Sequence, residues 1–427
     1  MKQTGLAAPE SGSMFAPLRQ PVYRALWLAT LASNFGTYIQ MVATSWAMTE
    51  MTGRADMVAL VQTVANLPIM LFSLVAGALA DMYDRRLMMI VAQSLMLTVS
   101  VILAVMAFSG TIAPGTLLVF TFLLGCGNAL YNPPWAASIG DQVSRELVPR
   151  AVALNVLSNN GARSTGPALG GIIVALAGTS AAFLVNALSY IGLIVVLIRW
   201  RPTRTRRADP SRSLLHNIRE GAAYVRNRRD VRNLLVGGAS FTFGTGGIWA
   251  LMPLVAHDRL AGNAATYGLL FGAFGTGAIA GALLSNMLRQ RLGIDRLIRL
   301  FICGFAFASV VTGLVPLLLP ALLAHVIAGA SWVLVLSSFN ICLQLSLPRP
   351  VLGRVLAIYQ TTTFGGLALG TLFWGWLAMH WTLPAALVSA ACLLLAGGAH
   401  GLRTALPRPE PMQGKPLGEA NESMADI

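Results

Sequence analysis

The stretch LMMIVAQSLMLTVSVILAVMAF, residues 87–108, contains no ionised side chain. A bilayer core of about 30 Å needs about 20 apolar residues of α-helix, and a helix satisfies its backbone polar groups within its own segment. The stretch therefore predicts a membrane-spanning helix.

The whole chain shares this apolar composition. Hydrophobic residues make up 56% of the 427 residues and charged residues only 11%, whereas about 25% of a soluble domain is charged. This leaves too little polar material to cover a water-soluble particle of this size. A soluble enzyme is therefore excluded, and four cysteines in the whole chain do not suit a disulfide-stapled secreted fold.

Twelve runs of this kind follow one another and predict an all-α membrane protein with twelve transmembrane helices in two parallel six-helix bundles. Because the number of crossings is even, both termini are expected on the same side of the membrane. The approximate bounds of the runs are 25–48, 57–80, 87–108, 117–131, 151–177, 181–198, 234–255, 267–288, 297–314, 318–345, 355–379 and 385–402.

The basic residues predict the orientation. With the amino terminus in the cytoplasm, 27 of the 30 Lys and Arg lie on the inner side, Arg54 and Arg259 lie outside, and Arg163 lies within a helix. The positive-inside rule favours this arrangement, which explains the net charge of +14 without a nucleic-acid partner. We expect a multi-pass protein of a bacterial plasma membrane with both termini cytoplasmic.

The two bundles are predicted from an internal repeat. At a single offset of 204 residues, AGAL at 76–79 matches AGAL at 280–283, Arg85 matches Arg289, and Arg150 matches Arg354. A constant offset across separate regions indicates two halves of parallel orientation.

The repeat divides the chain into five parts. We expect a tail at 1–22, a first bundle at 23–200, an arginine-rich linker at 201–232, a second bundle at 233–403 and a tail at 404–427. From Leu214 onward the linker carries apolar residues at helical spacing, which indicates an amphipathic helix on the inner membrane surface. A solvated connector is the alternative.

Residues 77–86, GALADMYDRR, resemble the G-x-x-x-D-x-x-G-R-R/K signature of the major facilitator superfamily. Asp84 stands where the signature has glycine. The resemblance implies a cytoplasmic latch, because a carboxylate beside the amino terminus of the eleventh predicted helix would hold the two halves together. The latch residues would be Gly77, Asp81, Asp84, Arg85 and Arg86. A plain positive-inside loop is the alternative.

Residues 166–171, GPALGG, are similar to the end of a motif found in superfamily exporters that exchange solute for protons. Ala162 stands where that motif has glycine. Proline removes a backbone donor and glycine removes bulk, so the segment can bend and approach a neighbouring helix. The resemblance implies a role in exchange for Gly166, Pro167, Gly170 and Gly171, and helix packing is the alternative.

The passages FAPLR at 15–19, YRALW at 23–27 and ALN at 153–155 resemble the enterobactin-exporter-like, transmembrane secretion effector branch of the superfamily. Members of this branch export siderophores or drug-like compounds. The resemblance implies a secondary transporter that exports an amphipathic small molecule by alternating access. An importer or uniporter on the same fold, and a non-transporting sensor or assembly partner, are the alternatives.

Arg163 lies near the middle of its predicted span, where an arginine costs about 2.5–3.5 kcal/mol on insertion scales. It should face a cavity or a partner. We predict that it contacts an anionic or carbonyl-bearing substrate. Hydrogen bonds to carbonyls, or to Asn159 and Asn160, are the alternative.

The superfamily lines its cavity mainly with helices 1, 4, 7 and 10. Amides and aromatic rings on these helices suit an amphipathic organic molecule, although each could equally be a helix contact. Besides Arg163, the resemblance implies as cavity candidates Asn34, Tyr38, Gln40, Asn128, Tyr131, Asn132, Trp249, Trp332 and Asn340.

No Asp or Glu lies inside the twelve runs, so proton coupling is implied by the resemblance alone. His325 is the histidine inside the tenth run. The scattered histidines and cysteines predict no catalytic group, metal site or cofactor. We expect a monomer whose partners are a small-molecule substrate, membrane lipid and protons.

Overall fold

The computed structural model describes residues 13–201, 223–347 and 349–401. Within these ranges the chain is helical and contains no strand, so the prediction of an all-α protein is confirmed. The two predicted tails lie mostly outside the described residues. So does most of the predicted linker helix, of which 223–227 is described and helical.

Twelve long helices follow one another in the described residues. A single segment, Val148–Arg199, holds α5 and α6, which meet at Gly178, where φ is 79° and ψ is 174°. Glycine adopts this left-handed backbone without a steric penalty. The other helices are α1 Pro21–Thr52, α2 Ala55–Met82, α3 Arg85–Phe108, α4 Pro114–Gln142, α7 Arg229–Leu254, α8 Ala264–Leu292, α9 Ile294–Leu314, α10 Leu318–Ser346, α11 Arg349–His380 and α12 Leu383–Gly401.

Each predicted run falls on one of these helices, and most of the helices extend a few residues further. By length and apolarity, eight described helical segments qualify as membrane spans, with α5 and α6 taken as one. The exceptions are α1, α11 and the shorter apolar stretch Leu383–Gly398. Helices α1 and α11 carry hydroxyl and amide side chains, which lower their hydropathy. Neighbouring helices bury some of these side chains, such as Gln40 and Thr371.

The helices pack in two groups. In the first, α1 packs on α5, α2 on α4, and α3 on α4 and on the Val148–Arg199 segment. In the second, α7 packs on α11, α8 on α10, and α9 on α10 and α12. The second pattern repeats the first six helices later. The pairs α2–α11 and α5–α8 make most of the contacts between the groups.

Small residues let the backbones of α5 and α8 approach. A Cβ atom on Gly268 would lie 2.7 Å from the carbonyl oxygen of Pro167, and one on Gly275 would collide with Ser164. Helices in lipid lack a hydrophobic driving force for association, so close backbone packing of small residues holds them together.

The contacts between the groups lie toward one end of the molecule. On α2 and α11, the Thr63 and Thr371 hydroxyl oxygens are 2.9 Å apart, and a Cβ atom on Gly375 would meet Ala59. We call this the closed end; it includes the start of α2 at Ala55.

At the opposite end the groups separate. A Cβ atom on Gly161 would meet nothing within 4 Å. Val152 and Val156 on α5 and Leu283 on α8 are exposed. We call this the open end and the space between the groups the cleft.

Replacing Gly171 with alanine is expected to destabilise the protein by about 1–3 kcal/mol. The new Cβ atom would collide with the backbones of Ala264 and Gly268, which cannot turn aside as a side chain can. Thermal unfolding of the purified protein in detergent measures the loss. Gly161→Ala, on the same helix but in open space, is the matched control, and equal melting temperatures for the two variants would contradict the packing account.

Candidate functional site

Arg163 lies at the deepest point of the cleft, where the two groups come into contact. The next residue, Ser164, makes the α5–α8 contact with Gly275, while Arg163 is half-buried. Its Nη2 atom donates to Oδ1 of Asn160 at 3.1 Å. Among the described residues, no carboxylate lies within ion-pair distance of its guanidinium group.

Tyr38 of α1 lies beside this cation. Its hydroxyl group donates to Oδ1 of Asn159 at 3.4 Å. One turn earlier on α1, Asn34 is half-buried. The cleft therefore ends in a group of amide, phenol and guanidinium side chains from α1 and α5.

The glycines of helix α5 position this group. A Cβ atom on Gly166 would lie 2.9 Å from Cβ of Tyr38, and one on Gly170 would lie 2.9 Å from Cα of Ile39. Gly171 packs on α8 instead. Residues 166–171 thus bring α5 close to α1 of its own group and to α8 of the second group.

Asp84, one of the predicted latch residues, contacts its own helix. Asp84 caps α3 by accepting from the backbone N–H of Arg86 at 2.8 Å and Leu87 at 3.2 Å. A Cβ atom on Gly77 would meet open space, and the Asp81 side chain lies outside the described ones.

Arg85 and Arg86 tie α3 to neighbouring helices. Arg85 donates to the Ala137 carbonyl oxygen at 3.1 Å and lies 3.4 Å from Oδ2 of Asp141, both on α4. Arg86 donates to the carbonyl oxygens of Leu197 at 2.8 Å and of Ile198, at the end of α6. In this conformation, the described contacts of Asp84, Arg85 and Arg86, which lie at the open end, are all with residues of the first group.

Two predicted cavity residues, Gln40 and Asn128, come together inside the first group. They line a cavity of about 170 Å³ between α1, α2, α4 and α6. Oε1 of the buried Gln40 accepts from Ser100 at 2.8 Å and from Asn186. Asn186 also donates to the Tyr190 hydroxyl group at 3.1 Å. We call this space the side cavity.

The remaining candidates on α4 lie elsewhere. Tyr131 is buried, stacks on Trp135 with ring centroids 5.9 Å apart, and has its hydroxyl oxygen 3.5 Å from Oγ1 of Thr30. Asn132 is exposed. Tyr131 therefore belongs to the packing of the first group.

The candidates on α7 and α10 form an aromatic cluster. The ring centroids of Trp249 and Trp332 are 5.4 Å apart, and Trp249 also lies 5.3 Å from Phe271 and 5.3 Å from Phe274. Asn340, further along α10, accepts a hydrogen bond from Gln344. These rings pack α7, α8 and α10 together within the second group, and Trp249 is the half-buried member of the cluster.

Three of the amides that line the side cavity were not predicted. They are Gln62 and Asn66 of α2 and Asn186 of α6, helices outside the set that the superfamily uses for its cavity. The sequence does contain a signal, because each is an amide within an apolar run, where an unpaired amide is costly.

Two groups of apolar helices that close at one end and enclose a cation at the inner limit of a cleft have the architecture of a multi-pass membrane transporter. The model of the transmembrane secretion effector family matches residues 12–426. The chain belongs to this family of major facilitator superfamily transporters, and the resemblance described above is confirmed.

Two relatives are named as an exporter and an efflux protein. The chain is 27% identical to the enterobactin exporter of Citrobacter koseri, over 88% of this chain and 90% of that one. It is 22% identical to macrolide efflux protein A of Streptococcus pyogenes, over 69% and 73%. A solved bacterial homologue of the human lysosomal transporter Spinster, in an inward-facing and occupied conformation, shares the fold with a TM-score of 0.72 at 15% identity, over 92% and 98% of the chains.

Proposed function

We propose that the protein exports an amphipathic, siderophore- or drug-like small molecule by alternating access of two six-helix bundles. The observation that carries this proposal is the cleft between the two groups. It is closed at one end by small-residue contacts and has Arg163 at its deepest point. The names of the relatives support export of this class of compound.

The open end is proposed to face the cytoplasm. Arg85, Arg86 and Arg289 lie at that end, whereas Arg54 and Arg259 lie at the closed end, and basic residues concentrate on the cytoplasmic side. The conformation is then inward-facing, the state in which an exporter takes up its substrate. Both termini lie on the cytoplasmic side in this orientation.

The substrate class follows from the two sides of the cleft. The Arg163 guanidinium attracts a carboxylate, catecholate or carbonyl oxygen, because charge-assisted hydrogen bonds are stronger than neutral ones. Trp249, the half-buried ring of the aromatic cluster, is the proposed contact for an apolar part. An amphipathic molecule satisfies both.

Protons are the proposed coupling ion. Support comes from the similarity of residues 166–171 to the motif of proton-exchanging exporters. The side chains that can exchange protons include Glu50 at the closed end, Asp84 and Asp141 at the open end, and His325. His325 is fully buried, with Nδ1 2.7 Å from the Ala321 carbonyl oxygen.

Flux in membrane vesicles tests the function. Inverted vesicles energised with a proton gradient should accumulate a catecholate siderophore or a cationic dye, and a protonophore should abolish the accumulation. Accumulation in right-side-out vesicles alone would identify an importer, and accumulation that the protonophore leaves unchanged would exclude proton drive. Absence of flux for a full panel of siderophores and drugs would favour a sensor or assembly partner.

Arg163→Gln is expected to reduce transport of an anionic catecholate siderophore roughly ten- to hundred-fold, since hydrogen bonds to charged groups contribute about 1.5–3 kcal/mol. Arg163→Lys should keep part of the activity, because it keeps the charge but loses the planar donor fork. Arg54→Gln is the control: Arg54 is exposed and pairs with Asp56 at 2.7 Å at the closed end. Unchanged siderophore flux at normal expression of Arg163→Gln would contradict the substrate role.

A disulfide across the closed end is expected to stop transport. Thr63→Cys and Thr371→Cys would place two sulfur atoms where the hydroxyl oxygens now lie 2.9 Å apart, close enough to bond after a small adjustment. In a background without the four native cysteines, oxidation should abolish flux and dithiothreitol should restore it. Each single variant under oxidant is the control, and cross-linked protein with wild-type flux would rule out opening at this end.

A further inference from the structure

The side cavity has a buried base and a half-buried rim. Gln40, Gln62, Asn186 and Tyr190 form the base, each with at most 3% of its surface exposed. Half-buried residues such as Asn66 and Asn128 form the rim. A small ligand can therefore reach a base that is otherwise shielded.

The hydrogen bonds at the base leave one donor unmatched. The Gln40 amide uses Oε1 to accept from Ser100 and Asn186. Its Nε2 atom is buried and has no hydrogen-bond partner in the described part of the chain. A buried donor without a partner is unfavourable, so this position favours an acceptor oxygen from a ligand.

The rim offers the complementary groups. Nδ2 of Asn66 donates to the Gln62 carbonyl oxygen at 2.7 Å, and Nδ2 of Asn128 donates to the Leu124 carbonyl oxygen at 3.2 Å. Both amides therefore satisfy a donor within their own helix, which leaves their Oδ1 atoms as acceptors for a ligand hydroxyl or N–H group.

The charge of the lining selects a neutral ligand. None of the described lining residues is ionisable at neutral pH. A buried ion would lack a counter-charge, and a metal cation would meet the Gln40 N–H donor. The matching chemistry is a neutral group that combines carbonyl or ether oxygens with hydroxyl groups.

The volume limits the size of that group. The cavity's volume of about 170 Å³ is smaller than the about 300–1,000 Å³ of sites for whole drug-sized ligands. The side cavity therefore fits one polar arm of a larger molecule, of about the size of a single sugar ring.

The side cavity and the Arg163 group flank the same turn of α1. Thr37 lines the side cavity, and the next residue, Tyr38, contacts Asn159 beside Arg163. The two candidate ligand contacts therefore involve neighbouring residues of one helix.

We propose that the side cavity binds a neutral, hydroxyl- and carbonyl-bearing arm of the exported molecule and determines which substrates are accepted. This inference rests on the proposed export function and assigns its substrate specificity to residues within the first helix group.

Selective loss of one class of substrate tests the inference. Asn128→Leu keeps the side-chain size but removes the acceptor, and Ala65→Leu fills part of the side cavity. Asn233→Leu, which removes an exposed amide on α7, is the matched control. The probes are erythromycin, a hydroxyl-rich macrolide, and ethidium, a planar cation without hydroxyl or carbonyl groups.

In energised inverted vesicles, Asn128→Leu should raise the apparent KM for erythromycin about two- to tenfold, the range expected for one lost ligand hydrogen bond. Ala65→Leu should raise it as well, because the larger side chain occupies the space of the bound arm. Ethidium transport should match the wild type, which also shows that the variants fold, and Asn233→Leu should leave both probes unchanged.

The possible negative results distinguish a failure of the side-cavity inference from a failure of the proposed export function. Wild-type erythromycin kinetics in both cavity variants, parallel losses for both probes, or a wild-type protein that moves ethidium but not erythromycin would each overturn the side-cavity inference while leaving export intact. A wild-type protein that accumulates no compound from the siderophore and drug panel would overturn the proposed function and this inference with it.

Discussion

The crossing of α5 and α8 is the contact on which the rest of the structure depends. Lipid tails are as apolar as a leucine side chain, so two helices gain little by hiding apolar surface from lipid and must gain from close packing. Gly171, Gly268 and Gly275 supply that packing by letting the two backbones touch. A stiff helix that is held tightly near one end can diverge from its partner at the other, and the first turns of α5 pack on α1 instead, where Tyr23 donates to the Ala151 carbonyl oxygen at 2.8 Å.

The same helix also builds the site, because it has two small-residue faces. Gly166 and Gly170 face α1, whereas Gly171 faces α8. Under the proposed alternating access, contacts between α5 and α1 would persist when the α5–α8 crossing changes. The Arg163 group can remain assembled while its exposure to one side of the membrane or the other is altered, as alternating access requires.

Apolar run length predicts the helices well and the site only in part. The apolar run at 117–131 is shorter than α4, which continues past Pro133 and Pro134, because neighbouring helices in a membrane protein accommodate the missing donors. The family resemblance assigns residues to the cavity by helix number, and helix number does not specify a face. Tyr38 and Gln40 lie about 200° apart around α1, so one reaches α5 and the other the side cavity.

Helix α1 connects the three regions that matter for transport. Tyr38 meets α5 beside Arg163, Gln40 meets the side cavity, and Trp46 lies at the closed end. There its indole N–H donates to Glu50 at 2.7 Å, and its ring centroid is 5.9 Å from that of His257, in the turn that follows α7. Tyr38 and Trp46 are about 12 Å apart along one continuous helix at ~1.5 Å per residue. Under the proposed mechanism, a ligand that shifts α1 at either site would also move Trp46 at the closed end, without a relay of side chains between them.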